Sequence, residues 1–564
     1  MTRMKYGVWI LWAFFFLSSS ILWADIHAYV KSSENDSEIS VSDLTLPQKI
    51  GQMLMFGVSG KRLTPETQAL IEKTHLGSII FYGQNVRSPL QVRAFSSELQ
   101  RTARLNHGIP LFIAVDQEGG PVTRVRKDAF ALPSAMALGA TRSYKLAFLA
   151  GKMTALELKS MGINMNLAPV LDVNTHQENS VIGTRSFGDD PELVSQMGVW
   201  YVEGLASQQV VATAKHFPGH GGTTLDSHYA IPTLSKNFED LERFHVYPFR
   251  KAIENGLDAI MTAHLAVPSL DPSGLPATFS YNLMTSFLRD RLGFQGVVMT
   301  DDLEMHAISE QYDVSQAALK AILAGADLIM IGWTDAKKYQ VFESLLKAVE
   351  TGKLSMSRID ESVERILRLK QKRGLFELKP EDLDSPEVQY QAVRRQISAQ
   401  AITVVENKRN ILPILEDQKK RVWVASPLRY FRERMAFYQN DVQSLSMTSR
   451  PTKREIKEWV QEIKKNKMEI DVLVFGFTHA SQLAIVNQLP SDLRKKVVVV
   501  SFDSPYFLKN LKEVSAYICS YGIQKDLMDA TAGILSGVFR SQGRLPISID
   551  PQHSFGKSSK VAIR

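Results

Sequence analysis

Between residues 41 and 374, short runs rich in apolar and β-branched residues recur, and the stretches separating them carry apolar positions at helical spacing. The runs are 52–58, 78–82, 111–116, 166–173, 211–217, 259–265, 296–302 and 327–332, eight in all. A strand buried on both faces reads as a short continuous apolar run, and a helix between two such runs makes a βα unit with parallel neighbours. Eight units in about 330 residues predict an α/β fold, a (β/α)8 TIM-like barrel with a few long loops. A doubly wound sheet would need a phosphate-binding glycine loop after its first strand. Gly57-Val58-Ser59-Gly60 lacks that spacing, and no Walker-type sequence occurs.

A second set of strand-like runs, 401–405, 422–425, 471–476, 496–501 and 516–520, is separated by helical stretches such as the charge-rich 453–468. It predicts a smaller α/β sheet over 399–564. Between the two sets, Gly374 ends a charge-laced helical run and Pro380 and Pro386 follow among dense charges. That composition predicts an interdomain linker over 377–398 and places the barrel domain at 43–376. No repeat of 20–50 residues is present, which excludes solenoids and propellers.

The first residues carry a different pattern. Arg3 and Lys5 precede an apolar run over 6–23, broken only by Gly7 and the small Ser18, Ser19 and Ser20. This is the n-region and h-region of a secretory signal. Ala24 suits the last signal position, whereas Leu22 is bulky where a small residue is preferred. At about 18 residues the run also reaches the length of a membrane span, so cleaved signal and uncleaved anchor both stay open for 1–28. No cysteine follows, which excludes lipoprotein anchoring. The polar stretch 29–42 reads as a tether. The expectation is an exported protein, periplasmic or extracellular, meeting a membrane only through this segment.

Composition narrows the picture. A chain of 564 residues is too long for one core and implies two or three folded units. With 44% hydrophobic and 22% charged residues it is a globular chain rather than a disordered one. The single cysteine, Cys519, excludes an intramolecular disulfide framework and a thiolate zinc cluster. The net charge of +7 is spread along the chain, so solubility explains it and no nucleic-acid partner is implied.

Barrel enzymes place their chemistry at the C-terminal ends of the strands. Polar or aromatic groups recur at six of the eight predicted ends: Asp116, Asp172, Lys215-His216, His264, Asp301-Asp302 and Trp333. The fifth end opens into Lys215-His216-Phe217-Pro218-Gly219-His220-Gly221-Gly222-Thr223-Thr224-Leu225-Asp226-Ser227-His228. Proline and glycine exclude a helix here, and in an extended stretch residues two apart point the same way. The Asp226 carboxylate therefore reaches toward the His228 imidazole, an arrangement suited to proton transfer near neutral pH. Two other readings stand beside it. One is a metal site of His216, His220 and His228, whose spacing matches no helical zinc pattern. The other is a rigid hydrogen-bonded loop, which fits His220 between its glycines.

This loop resembles the signature of glycoside hydrolase family 3, in its β-N-acetylglucosaminidase branch: Lys-His-Phe-Pro-Gly-His-Gly, then Asp-Ser-His after four residues. Asp116-Gln117-Glu118-Gly119-Gly120 looks like the family's sugar-binding turn, Val181–Gly188 its arginine loop, and Thr300-Asp301-Asp302-Leu303-Glu304-Met305 its nucleophile strand. The resemblance implies Asp301 as nucleophile, His228 as general acid/base and Asp226 as its partner. Asp116, Arg124, Arg185, Lys215 and His216 would hold the terminal N-acetylglucosamine, with no metal or organic cofactor. Asp302 is the rival to Asp301; strand alternation allows only one of them to face the sugar. Pro121 stands where relatives carry an arginine, so that contact is absent or supplied by Arg124 or Arg126. The C-terminal segment resembles the α/β sandwich of two-domain members, through Ile402–Asn407 with Leu412-Pro413 and through Gly543–Ser548. A complete Asp226/His228 pair leaves that domain a supporting, wall-binding or substrate-rim role. The implied activity is a retaining exo-β-N-acetylglucosaminidase acting on N-acetylglucosamine-containing glycans or muropeptides. Two alternatives remain: a glycosyl phosphorylase, since a histidine acid/base leaves room for phosphate, and a non-catalytic cell-wall sugar-binding protein.

Overall fold

The structure is a computed structural model that describes residues 39–126, 129, 131–223, 230–377, 387–415, 419–559 and 561. The apolar run 6–23 lies outside these residues; among the described ones no helix is long and apolar enough to cross a membrane. Residues up to Thr45 form a unit of their own. Its described part holds a 3-10 turn, Val41–Asp43, capped reciprocally by Ser40 and Asp43.

All eight predicted barrel strands are present: β1 (Leu54–Gly57), β2 (Ser78–Phe81), β3 (Phe112–Val115), β4 (Met165–Asn166), β5 (Val211–Phe217), β6 (Ala259–Thr262), β7 (Val297–Thr300) and β8 (Ile329–Ile331). Each is buried throughout, as continuous apolar runs require. They pair in parallel in the order β8-β1-β2-β3-β4-β5-β6-β7, and a bridge between Met299 and Leu328 joins β7 toward β8. The fourth run shows the main departure. Only two of its residues are strand; backbone bonds to β3 and β5 and one bridge, Val170 to Lys215, continue the pairing past Pro169, which has no N–H to give.

The C-terminal domain is a six-stranded sheet flanked by helices: β9 (Thr403–Asn407), β10 (Val422–Ser426), β11 (Val442–Ser446), β12 (Val472–Phe477), β13 (Val497–Ser501) and β14 (Ala516–Cys519). Its order is β9-β14-β13-β12-β10-β11, with β9 antiparallel and the rest parallel. The segment read as a linker carries the helix Glu387–Ala401, which packs on Ala135–Thr141 and Tyr144–Ser160 of the barrel and on Lys525–Leu535 of the sandwich. Tyr390, Val393, Ile397 and Ala401 are buried at helical spacing. Apolar periodicity thus resumes right after the proline-bounded charges and makes the second half of that segment a packed bridge.

The sandwich also braces the loops above the barrel. Ser548 N–H donates to Asp189 Oδ2 at 2.6 Å, Gln177 Nε2 donates to the Ser548 and Ile549 carbonyls, and Tyr506 OH donates to the Asn174 carbonyl. Arg142 donates to the Leu545 carbonyl at 2.7 Å and lies over the Phe555 ring. At the opposite end of the barrel, Asp327 is fully buried and accepts from Val298 N–H, Ser362 Oγ, Arg289 (2.5 Å) and Arg365 (3.0 Å), with Arg358 at 3.5 Å. Removing one partner of a buried charge cluster leaves the others uncompensated. Asp327→Ala is therefore expected to destabilise the barrel by about 3–5 kcal/mol. The measurement is the urea midpoint of barrel unfolding, and an unchanged midpoint would contradict this account.

Candidate active site

Tyr82, Asp116, Lys215, His216, Asp301 and Trp333, from the C-terminal ends of five strands, line one cavity of about 450 Å³. One wall is a buried charge network. Lys215 Nζ lies 2.7 Å from Asp116 Oδ1 and 2.7 Å from Glu118 Oε1. Arg185 grips Glu118 with Nε and an Nη, both at 2.8 Å. Burial penalises the charges of Glu118, Arg185 and Lys215. Arg185 and Lys215 nevertheless hold Glu118 well below the usual carboxylate range, and the two carboxylates hold Lys215 above its usual value.

The Asp116 turn is a short hairpin, Gln117–Gly119 against Val122–Thr123. Gln117 staples it, accepting from the Arg124 and Val125 N–H groups and donating to the Val125 carbonyl. Gly120 has φ +57°, and a Cβ there would strike Ser134. Arg126 donates to the Pro121 and Thr123 carbonyls and so belongs to the hairpin. Arg124 lines the cavity and reaches Asp116 at 3.4 Å, so of the two arginines it is the one placed to serve where Pro121 supplies no charge.

Asp172, fully buried, organises the start of the glycine-rich loop. It takes the His216 Nδ1–H at 2.7 Å and the backbone N–H groups of His216 and His220. The other ring nitrogen of His216, Nε2, lies 3.4 Å from an Arg185 Nη. His220 is buried, which lowers its pKa, and its Nδ1 meets Thr223 Oγ1 at 2.8 Å. His220 therefore has the structural environment anticipated for it, although it also borders the cavity. Asp226 and His228 lie outside the described residues.

The two adjacent carboxylates differ sharply. Because β7 ends at Thr300, strand alternation does not extend to them, and both Asp301 and Asp302 line the cavity. Their surroundings separate them instead. Asp302 accepts from the Gly332 and Glu304 N–H groups and, at 3.3 Å, from Tyr82 OH. Asp301 accepts only the Asp302 N–H among the described residues, at 2.8 Å. Burial opposes ionisation at Asp301, but His264, His216 and Lys215 nearby hold it below the usual value. Burial and the neighbouring Asp301 push Asp302 up to about 6. Environments that split two carboxylates in this way assign the anionic role to Asp301.

His264 stands behind this turn, Nε2 on the Asp302 carbonyl at 3.1 Å and Nδ1 on Thr278 Oγ1. Not every polar strand end thus faces the cavity; His264 and Asp172 support those that do. Sequence reasoning quoted Glu118 within the sugar-binding turn yet gave it no role, and passed over Tyr82. The only local signal for Glu118 was a carboxylate between glycine and glutamine.

A carboxylate kept anionic in a polar cavity at the C-terminal face of a (β/α)8 barrel is the equipment of a glycoside hydrolase. The comparisons make the family definite. The profile of the glycosyl hydrolase family 3 N terminal domain matches residues 45–369. Beta-hexosaminidase A of Pseudoalteromonas piscicida is 29% identical over 90% of this chain and 97% of its own. Beta-hexosaminidase of Nitrosomonas eutropha is 35% identical over 56% of this chain and 91% of its own. Among solved structures, a family 3 β-N-acetylglucosaminidase from Paenibacillus sp. str. FPU-7 superposes with a TM-score of 0.83 at 36% identity, covering 90% of this chain and 99% of that one. The chain belongs to glycosyl hydrolase family 3, in the branch of these relatives.

The raised Asp302 pKa makes a stability prediction. The folded state keeps this proton up to about pH 6, whereas the unfolded chain releases it near 3.8. Ionising Asp302 therefore weakens the fold as pH rises through that window, fully above it and not at all below. Asp302→Asn is expected to gain on the wild type by roughly 1–3 kcal/mol between the two ends of the window, and no further above it. Urea titrations across that range test this; a pH-independent difference would refute it.

Proposed function

We propose that this protein is a retaining exo-β-N-acetylglucosaminidase. It removes terminal non-reducing N-acetylglucosamine, and its physiological substrates are peptidoglycan fragments. The observation that carries the reading is an anionic Asp301, bound among the described residues only by the Asp302 N–H, in a cavity walled by Lys215, Asp116, Arg124, Arg185 and His216. The names of the hexosaminidase relatives supply the 2-acetamido sugar. The apolar run behind Arg3 and Lys5 supports export to where wall fragments occur.

In the first step Asp301 attacks C1 of the bound sugar while His228 protonates the departing oxygen, and a covalent glycosyl-aspartate forms. In the second, His228 takes a proton from water, which attacks C1 and releases Asp301 with net retention. Asp226 orients the imidazole. Lys215, Asp116, Arg124, Arg185 and His216 offer donors and acceptors to the hydroxyl groups, in a wall whose charges are already paired before substrate arrives. His228 enters the first step protonated and leaves it neutral, and a histidine, whose unperturbed value is about 6.5, needs little tuning to give and retake a proton near neutral pH.

Two experiments test this. Asp301→Asn is expected to abolish turnover with sugar binding kept, and a 5-fluoro N-acetylglucosaminyl fluoride to label Asp301 in the wild type. A label found on Asp302 by mass spectrometry, or first release of the α-anomer by proton NMR, would refute the mechanism. For the acid/base pair, His228→Ala is expected to lose about 10²–10⁴-fold on a disaccharide. It should form the intermediate almost normally from a nitrophenyl glycoside, giving a nitrophenol burst and azide rescue. Equal losses on both substrates without a burst would remove His228 from that role.

A further inference from the structure

Trp333 is 53% exposed, on the rim of the cavity, yet its ring is not free to turn. One face lies stacked on Tyr82, ring centres 4.2 Å apart and planes 24° from parallel. Tyr82 is itself pinned by its hydroxyl to Asp302. The Trp333 and Thr334 N–H groups both donate to Glu304 Oε2, at 2.6 and 3.0 Å, and Glu304 is held in turn by Lys337. The chain before Trp333 is equally fixed, because a Cβ on Gly332 would collide with the Asp302 carboxylate and the Tyr82 hydroxyl. The aromatic pair is therefore clamped to the same 301–304 turn that presents Asp301.

We infer that the open face of Trp333 is the binding platform for the leaving-group sugar. This rests on the functional reading above and extends it to the far side of the scissile bond. The buried wall of Lys215, Glu118 and Arg185 suits the many hydroxyl groups of the terminal sugar. Beyond its single indole N–H, Trp333 offers a flat apolar face with a negative quadrupole, which the C–H face of a pyranose complements. A half-exposed residue at the mouth meets what projects outward from the terminal sugar, which is the leaving group. Its orientation is paid in advance by Tyr82 and Glu304, so binding a second ring loses little further side-chain entropy. The ligand class is a β-linked pyranose leaving group, favoured over an alkyl or halide one.

The test compares N,N′-diacetylchitobiose with N-acetylglucosaminyl β-fluoride, whose leaving group carries no ring. In Trp333→Ala the ratio of kcat/KM on the disaccharide to kcat/KM on the fluoride is expected to fall about tenfold. Trp333→Phe, which keeps a flat face, is expected to recover most of it. An unchanged ratio, whether both substrates lose equally or neither does, overturns the inference, since the residue would then act on the terminal sugar, on the 301–304 turn or on nothing. A wild-type protein that releases N-acetylglucosamine from neither substrate overturns the functional reading itself and this inference with it.

Discussion

Four charges that water would ordinarily keep apart, Asp116, Glu118, Arg185 and Lys215, share one wall of the barrel with little solvent between them. Each is tolerable only because the others are there. The constraint ties three distant pieces of chain together: the turn after β3, the arginine loop and the end of β5. Had Lys215 and Arg185 different addresses, Glu118 would be a buried carboxylate without a cation. The wall is thus both the most demanding feature of the fold and the surface best equipped to hold a polyhydroxylated ligand, because its donors are fixed before the ligand arrives.

The opposite side of the cavity works by contrast rather than by pairing. Asp301 and Asp302 are neighbours in sequence and in space, and a low-dielectric site resists ionising both. The fold resolves this by burial and the neighbouring Asp301 charge, which keep Asp302 protonated against the pull of its Glu304 and Gly332 N–H donors, while only one described hydrogen bond engages Asp301. Histidines behind and beside Asp301 then favour its charge. Asp302, so tied, organises the turn: Gly332, Tyr82 and through it Trp333 all take their positions from it.

The sandwich domain acts on this site at one remove. It touches the loop carrying Arg185 through Asp189, and the segment after β4 through Asn174 and Gln177. Loops above a barrel are the least constrained part of such a fold. Here the second domain supplies partners for their backbone and side chains, while the helix Glu387–Ala401 packs on both domains.

The eight-stranded barrel was legible because its signal is local: each buried parallel strand is a short apolar run, and helical spacing fills the gaps. The loop from Lys215 was legible too, since glycine and proline restrict the backbone wherever they stand, and its residues carry the family resemblance. What the sequence left undecided depends on contacts between pieces far apart along the chain. Glu118 became the centre of the charge network only when β5 and the arginine loop came to it. Alternation, which would let only one of Asp301 and Asp302 face the sugar, failed as an argument because the strand stops at Thr300 and both line the cavity; what distinguishes them is burial and the charges around each. Trp333 gained an orientation only by meeting Tyr82 across the barrel rim. Periodicity and turn chemistry act within a few residues and can be read in order, whereas the charge on a buried carboxylate is set by whatever the fold brings within a few ångströms of it.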